Sequence, residues 1–142
     1  MLALLLVAAL SSPQAHFWYD DLLAQAGYGN LPFERAAFLI RESDGTLTTQ
    51  PWPDGAFRHA TFRGSIPQRT IAIVHTHPRG EPRPSWRDRQ EAKRLGIAVI
   101  VVTSEGAIAA HADGTEVTLA RTPVPASGTS RAPSGRRTFL RR

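Results

Sequence analysis

Hydrophobic and polar positions change period several times along the chain, and each change marks an element. Residues 1–10 are apolar throughout, and Ser11-Ser12-Pro13-Gln14-Ala15 follows. Residues 17–26 read as a short helix stopped by Gly27 and Gly29. After Pro32 comes Glu34 and a mostly apolar run to residue 40 of strand length. Ser43-Asp44-Gly45 is a turn signal, and residues 46–50 resume as a hairpin partner. Residues 51–69 hold three prolines or glycines before Gly64 and Pro67, so they read as loop with one short strand near 57–62. Residues 70–77 are β-branched and apolar and predict a buried strand. A Pro- and Gly-rich loop over 78–84 leads to a helix over 85–95, closed by Gly96. Residues 97–103 predict a second buried strand. Two short strands over 107–111 and 115–120, turned at Ser104-Glu105-Gly106 and Asp113-Gly114, complete a C-terminal meander. The order is helix, β-hairpin, strand, helix, β-meander, with no internal repeat. It predicts an α/β or α+β domain, a mixed sheet with two or three helices.

The ends of the chain read differently from its middle. The apolar residues at 1–10 are too few to span a bilayer as a helix, which needs about 20. Their length fits the apolar part of a secretory leader, although no Lys or Arg precedes them. The other reading is an N-terminal helix packed on the domain. A leader would place the protein outside the cytoplasm, secreted or periplasmic; a packed helix is equally at home in the cytoplasm. Residues 121–142 contain six Arg, no acid and few apolar positions, and predict a disordered tail. The expected organisation is therefore an apolar segment 1–15, a domain 16–120 and an Arg-rich tail 121–142.

At 142 residues and 42% hydrophobic, the chain has material for one core but not two. The net charge of +5 resides in the tail; without it, 11 basic and 12 acidic residues leave −1. A basic domain face that reads nucleic acid is therefore not supported. There is no Cys, which excludes disulfide scaffolds, thiolate metal sites and Cys nucleophiles. A metal would have to be held by carboxylates and by some of the five histidines, His16, His59, His75, His77 and His111.

The chemistry concentrates in His75-Thr76-His77-Pro78, with Ser85 and Asp88 following. Residues i and i+2 of a strand point to one face, so both imidazoles can converge on one ion. The loop reverses the chain and brings Asp88 back within the first turn of the next helix. Two His and one carboxylate give zinc three protein ligands and leave a fourth position for water, the arrangement of a catalytic site. Each piece also has a plain reading. A His-x-His pair on a strand is often incidental, and Ser85-x-x-Asp88 is a helix start with Ser85 as N-cap. A capped helix can still aim Asp88 at a metal.

Taken in order after a buried strand, the set resembles the signature of the JAMM/MPN (JAB domain) zinc metalloproteases. In that family an upstream Glu is followed by His-x-His-Pro, then Ser, two residues and Asp. Seven residues separate His77 from Ser85 and two separate Ser85 from Asp88, with no insertion. The likeness to small bacterial members runs over roughly residues 30–112. It implies a curved sheet flanked by helices, as in MPN and cytidine-deaminase-like domains. It further implies one zinc per chain held by His75, His77 and Asp88, and a Ser85 hydroxyl that donates to the oxyanion of the transition state. It also requires a Glu as general base at the start of an early apolar strand. Glu34 fits that place, and Glu42, at the other end of the same strand, is the alternative. The implied activity is hydrolysis of a peptide or isopeptide bond.

Two other readings compete. One is a catalytically silent MPN-like binding module, from which retention of every ligand distinguishes this chain. The other is a RadC-like protein with a DNA-related role, suggested by the 79–85 loop and opposed by the near-neutral domain. His59 and His111 lie outside the motif and read as solvated or internally satisfied. Trp52 and Trp86 border the motif; packing is the first reading for both, with substrate contact the alternative for Trp86. The compact chain leaves little room for the insertions with which linkage-specific ubiquitin-chain enzymes hold two ubiquitins. Sequence gives neither the substrate nor the oligomeric state.

Overall fold

Six strands supply the frame. In the computed structural model, which describes residues 2–52 and 64–119, they are β1 (Ala36–Arg41), β2 (Leu47–Pro51), β3 (Thr70–Thr76), β4 (Ala98–Thr103), β5 (Gly106–Ala110) and β6 (Glu116–Leu119). They form one sheet in the order β2-β1-β3-β4-β5-β6. Only β3 and β4 pair in parallel; the remaining neighbours are antiparallel. A parallel pair needs a crossover, and helix α3 (Trp86–Leu95) provides it. The mixed sheet with three helices is the α/β architecture expected from the pattern. The short strand expected near 57–62 lies outside the described residues, as does the Arg-rich tail.

Strand pleating gives the sheet two apolar faces. On one, Ala37, Leu39, Ala72, Val74, Ile100 and Val102 pack with Leu10, Tyr19, Leu22 and Leu23. These last four come from α1 (Leu2–Leu10) and α2 (Pro13–Gln25). On the other face Phe38, Ile73, Val99 and Ala110 meet Ala92 of α3, with Trp52 and Leu95 packed alongside. Both central strands, β3 and β4, are therefore apolar on two sides, which is why they read as continuous apolar runs.

Helix α2 starts earlier than the expected 17–26. Ser12 is its N-cap, accepting from the N–H of Ala15 at 3.2 Å, and Pro13 takes the first helical position. The same Ser-Pro pair in a leader would be a stretch of small residues, so composition alone does not reveal the cap. Leu10 is fully buried, and the Tyr19 hydroxyl donates to its carbonyl at 2.8 Å. In this structure residues 2–10 form a helix against the domain, while Leu4 and Leu5 remain exposed. Among the described residues, no helix is long and apolar enough to cross a membrane.

Candidate metal centre

The site lies where β3 ends and α3 begins, on the sheet face that α3 covers. Residues 73, 75 and 77 point to this face, while 72 and 74 enter the opposite core. His77 follows the last residue of β3, but its N–H still donates to the Val102 carbonyl at 3.3 Å. Glu34 sits two residues ahead of β1. The Arg35 N–H donates to the Thr76 hydroxyl at 3.0 Å, and the Thr76 N–H donates to the Arg35 carbonyl at 2.9 Å. This reciprocal pair pins the entry of β1 to the end of β3 and so sets Glu34 beside His75.

Asp88 arrives through the helix start. Ser85 is the N-cap of α3, its hydroxyl accepting from the N–H of Asp88 at 3.2 Å while the Asp88 carboxylate accepts from the N–H of Ser85. This capping box satisfies two N–H groups that a helix start otherwise leaves open. Arg89 holds the helix down, donating to the Pro84 carbonyl at 2.8 Å and to Glu116 at 3.0 Å. Gly96, at φ 70°, ends the helix in the left-handed conformation that glycine adopts without strain.

Four polar side chains then converge. The Nε2 of His75 is 3.0 Å from Asp88 Oδ1, and the Nε2 of His77 is 3.4 Å from Asp88 Oδ2. On the far side of the His75 ring, Nδ1 is 3.4 Å from Glu34 Oε2. The two rings stand edge to face, 4.8 Å apart. Glu34, His75, His77 and Asp88 are all buried. Glu42 lies elsewhere, accepting from the Thr48 hydroxyl at 2.8 Å and facing Arg69 at 3.8 Å. Of the two glutamates weighed from sequence, only Glu34 lines the cleft, together with Ser85 and Trp86.

A metal-ion test can be made on the orphaned nitrogen. The Nε2 of His75 is buried and close to Asp88, yet out of line for an N–H···O bond. The contact lacks a well-aligned hydrogen bond, and a cation between ring and carboxylate would engage both. The His77 ring gives a second test. Its Nδ1 lies 2.9 Å from the Glu81 carbonyl, which can only accept. A hydrogen on Nδ1 fits this contact and leaves Nε2, which faces the cleft, as the ring atom available to a metal. Ligand atoms of Glu34, His75 and His77 lie within 4.8 Å of one another, and Asp88 touches both imidazoles. The residues present fit a cation, with either carboxylate available as third ligand.

Charge at the site follows the same contacts. Burial works against the His75 imidazolium, but the Asp88 and Glu34 carboxylates outweigh it and hold its pKa up at about 9. Burial would raise the Asp88 carboxyl; the adjoining imidazoles and the Ser85 N–H override it and hold Asp88 well below the usual carboxylate range.

Two contributors were invisible in sequence. Glu81 acts through its backbone carbonyl, for which its side-chain identity carries no signal. Gly29, at φ 80°, lets the turn after α2 approach the ligand loop: an added Cβ would sit 3.2 Å from the Arg79 nitrogen and 3.3 Å from the His77 carbonyl oxygen. The Arg79 N–H donates to the Gly29 carbonyl at 3.3 Å across this junction.

Fold and cluster together describe a mixed α/β domain with a group of side chains that could hold a metal ion at the end of its parallel strand pair. Residues 18–119 match the model of the prokaryotic homologues of the JAB domain, and the chain belongs to that family. No curated protein matches it.

Proposed function

We propose that this protein is a zinc-dependent amide hydrolase, acting on a peptide or isopeptide bond. The observation that carries this reading is the convergence of two imidazole Nε2 atoms on one carboxylate, with a second carboxylate behind His75, in an open cleft. His75, His77 and Asp88 would hold the ion. When bound, zinc lowers the pKa of a coordinated water to about 7 and supplies a nucleophile at neutral pH. Glu34 takes a proton from the attacking water as its oxygen bonds to the amide carbon. The Ser85 hydroxyl accepts the capping bond through its oxygen and keeps its own proton to donate to the carbonyl oxygen as negative charge develops. The carbon–nitrogen bond then breaks, and the proton on Glu34 passes to the leaving amine. The products are a carboxylic acid and an amine.

A silent binding module has one observation in its favour: the capping box explains Ser85 and Asp88 without chemistry. It leaves three buried polar side chains, Glu34, His75 and His77, with no such explanation. Metal content and hydrolysis measured on two variants separate these readings. Glu34→Gln is expected to keep about one zinc per chain and lose hydrolysis by roughly 10²–10⁴-fold. Asp88→Asn is expected to lose the zinc. Full hydrolysis by Glu34→Gln would remove the general-base role. Loss of zinc from Glu34→Gln but not from Asp88→Asn would exchange the two carboxylates' roles.

A further inference from the structure

Imidazoles and carboxylates occupy one end of a cleft of about 980 Å³. Away from them the sheet gives the cleft an apolar floor, for a reason set by register. On β1, Ala36 lies opposite His75 and Phe38 opposite Ile73; on β4, Val101 lies beside His75 and Val99 beside Ile73. One pleat below His75, about 7 Å along the strand, a row of Phe38, Ile73 and Val99 therefore crosses three strands on the same face. The Trp52 ring packs 5.4 Å from that of Phe38, and Leu95 of α3 flanks the row. Trp52 and Leu95 are only half-buried, Ile66 is 36% exposed and Trp86 is 67% exposed, and all four line the cleft. A core that merely closed on itself would not leave large apolar groups open along the path to the polar end. An apolar cavity with a few convergent polar groups is the usual form of a small-molecule or peptide site.

We propose that the apolar half of the cleft is a side-chain subsite that selects an amide flanked by a bulky apolar residue. The inference rests on the hydrolase reading for what happens to the amide, but recognition itself needs no turnover. A carbonyl held at the polar end places the flanking Cα one bond from the carbonyl carbon, about 1.5 Å away. A leucine- or phenylalanine-sized group then meets the apolar groups that stay partly exposed in the cleft, Trp52, Ile66 and Leu95, whereas glycine reaches none of them. Of the charged residues that line the cleft away from the imidazoles, Arg94 is tied to Glu91 at 2.6 Å.

The test is binding of N-acetyl dipeptide amides, Ala-Phe and Ala-Leu against Ala-Gly. They are titrated into the full-length Glu34→Gln chain and followed by tryptophan fluorescence and amide chemical shifts. Phe and Leu ligands are expected to bind about tenfold or more tightly than Gly. Ile66→Asp puts a charge at the partly exposed lip, where folding tolerates it, and is expected to erase the difference with an unchanged circular dichroism spectrum. Equal affinities, no detectable binding of any of the three, or a preference that survives both Ile66→Asp and Trp52→Ala would overturn the subsite. A retained preference in a zinc-loaded wild-type protein that hydrolyses nothing would instead remove the enzymatic reading and leave the subsite standing.

Discussion

Each nitrogen of the His75 ring faces a carboxylate, Glu34 at 3.4 Å and Asp88 at 3.0 Å. In the metal-free protein this makes His75 a cation at neutral pH. The sign of its effect on stability follows from linkage. Its pKa is raised from 6.5 to about 9, so its contribution is complete below about 6.5 and is lost as pH climbs through 9. Asp88, whose carboxyl is held low, contributes above the ordinary carboxylate range, and that part is lost as pH falls. Chelator-treated protein is therefore expected to melt lower at pH 10 than at pH 7; a melting temperature unchanged over that interval would contradict the charged ring. The residues of this cluster were legible because side-chain type and spacing carry them. Glu81 was not, since it acts through a carbonyl that every residue possesses, and neither was the close approach at Gly29.

At the level of elements, α3 was the most readable part of the chain. Ser85, Asp88 and Gly96 announce its two ends, and the structure uses all three as caps. β3 and β4 were readable because burial on both faces leaves no polar alternation to confuse the pattern. The start of α2 was hidden, because Ser12-Pro13 follows an apolar run and reads equally well as the end of a leader. Ser85 caps the helix, and in the proposed reaction it would also donate to the oxyanion; the two effects differ in size. Losing the N-cap costs about 1 kcal/mol of stability, whereas losing a transition-state donor costs roughly 10²–10³ in kcat. Ser85→Ala is expected to show both, a modest drop in denaturation midpoint and a much larger drop in turnover at full zinc occupancy. Turnover that fell only in step with folded fraction would reduce Ser85 to a cap.

For the molecule as a whole, the sheet divides the labour between its faces. One face carries the larger core, sealed by α1 and α2, and the other carries the cleft. The first face depends on Leu10, which is fully buried at the end of α1. Leu10→Ala is expected to cost about 2–5 kcal/mol in chemical denaturation, with the zinc affinity of the folded fraction unchanged. A cost below 1 kcal/mol would show that α1 adds little to the core. The parallel pairing of β3 with β4 has its own consequence. Glu34 and His75 are 41 residues apart in sequence, and Asp88 lies inside the crossover that must be laid down before β4 can dock. The three groups proposed to hold an ion span only residues 75–88 and meet once α3 folds back on β3, whereas Glu34 joins them only through the pairing of β1 with β3. An ion held by the folded protein and not by the unfolded chain would stabilise the native state in proportion to its concentration and affinity.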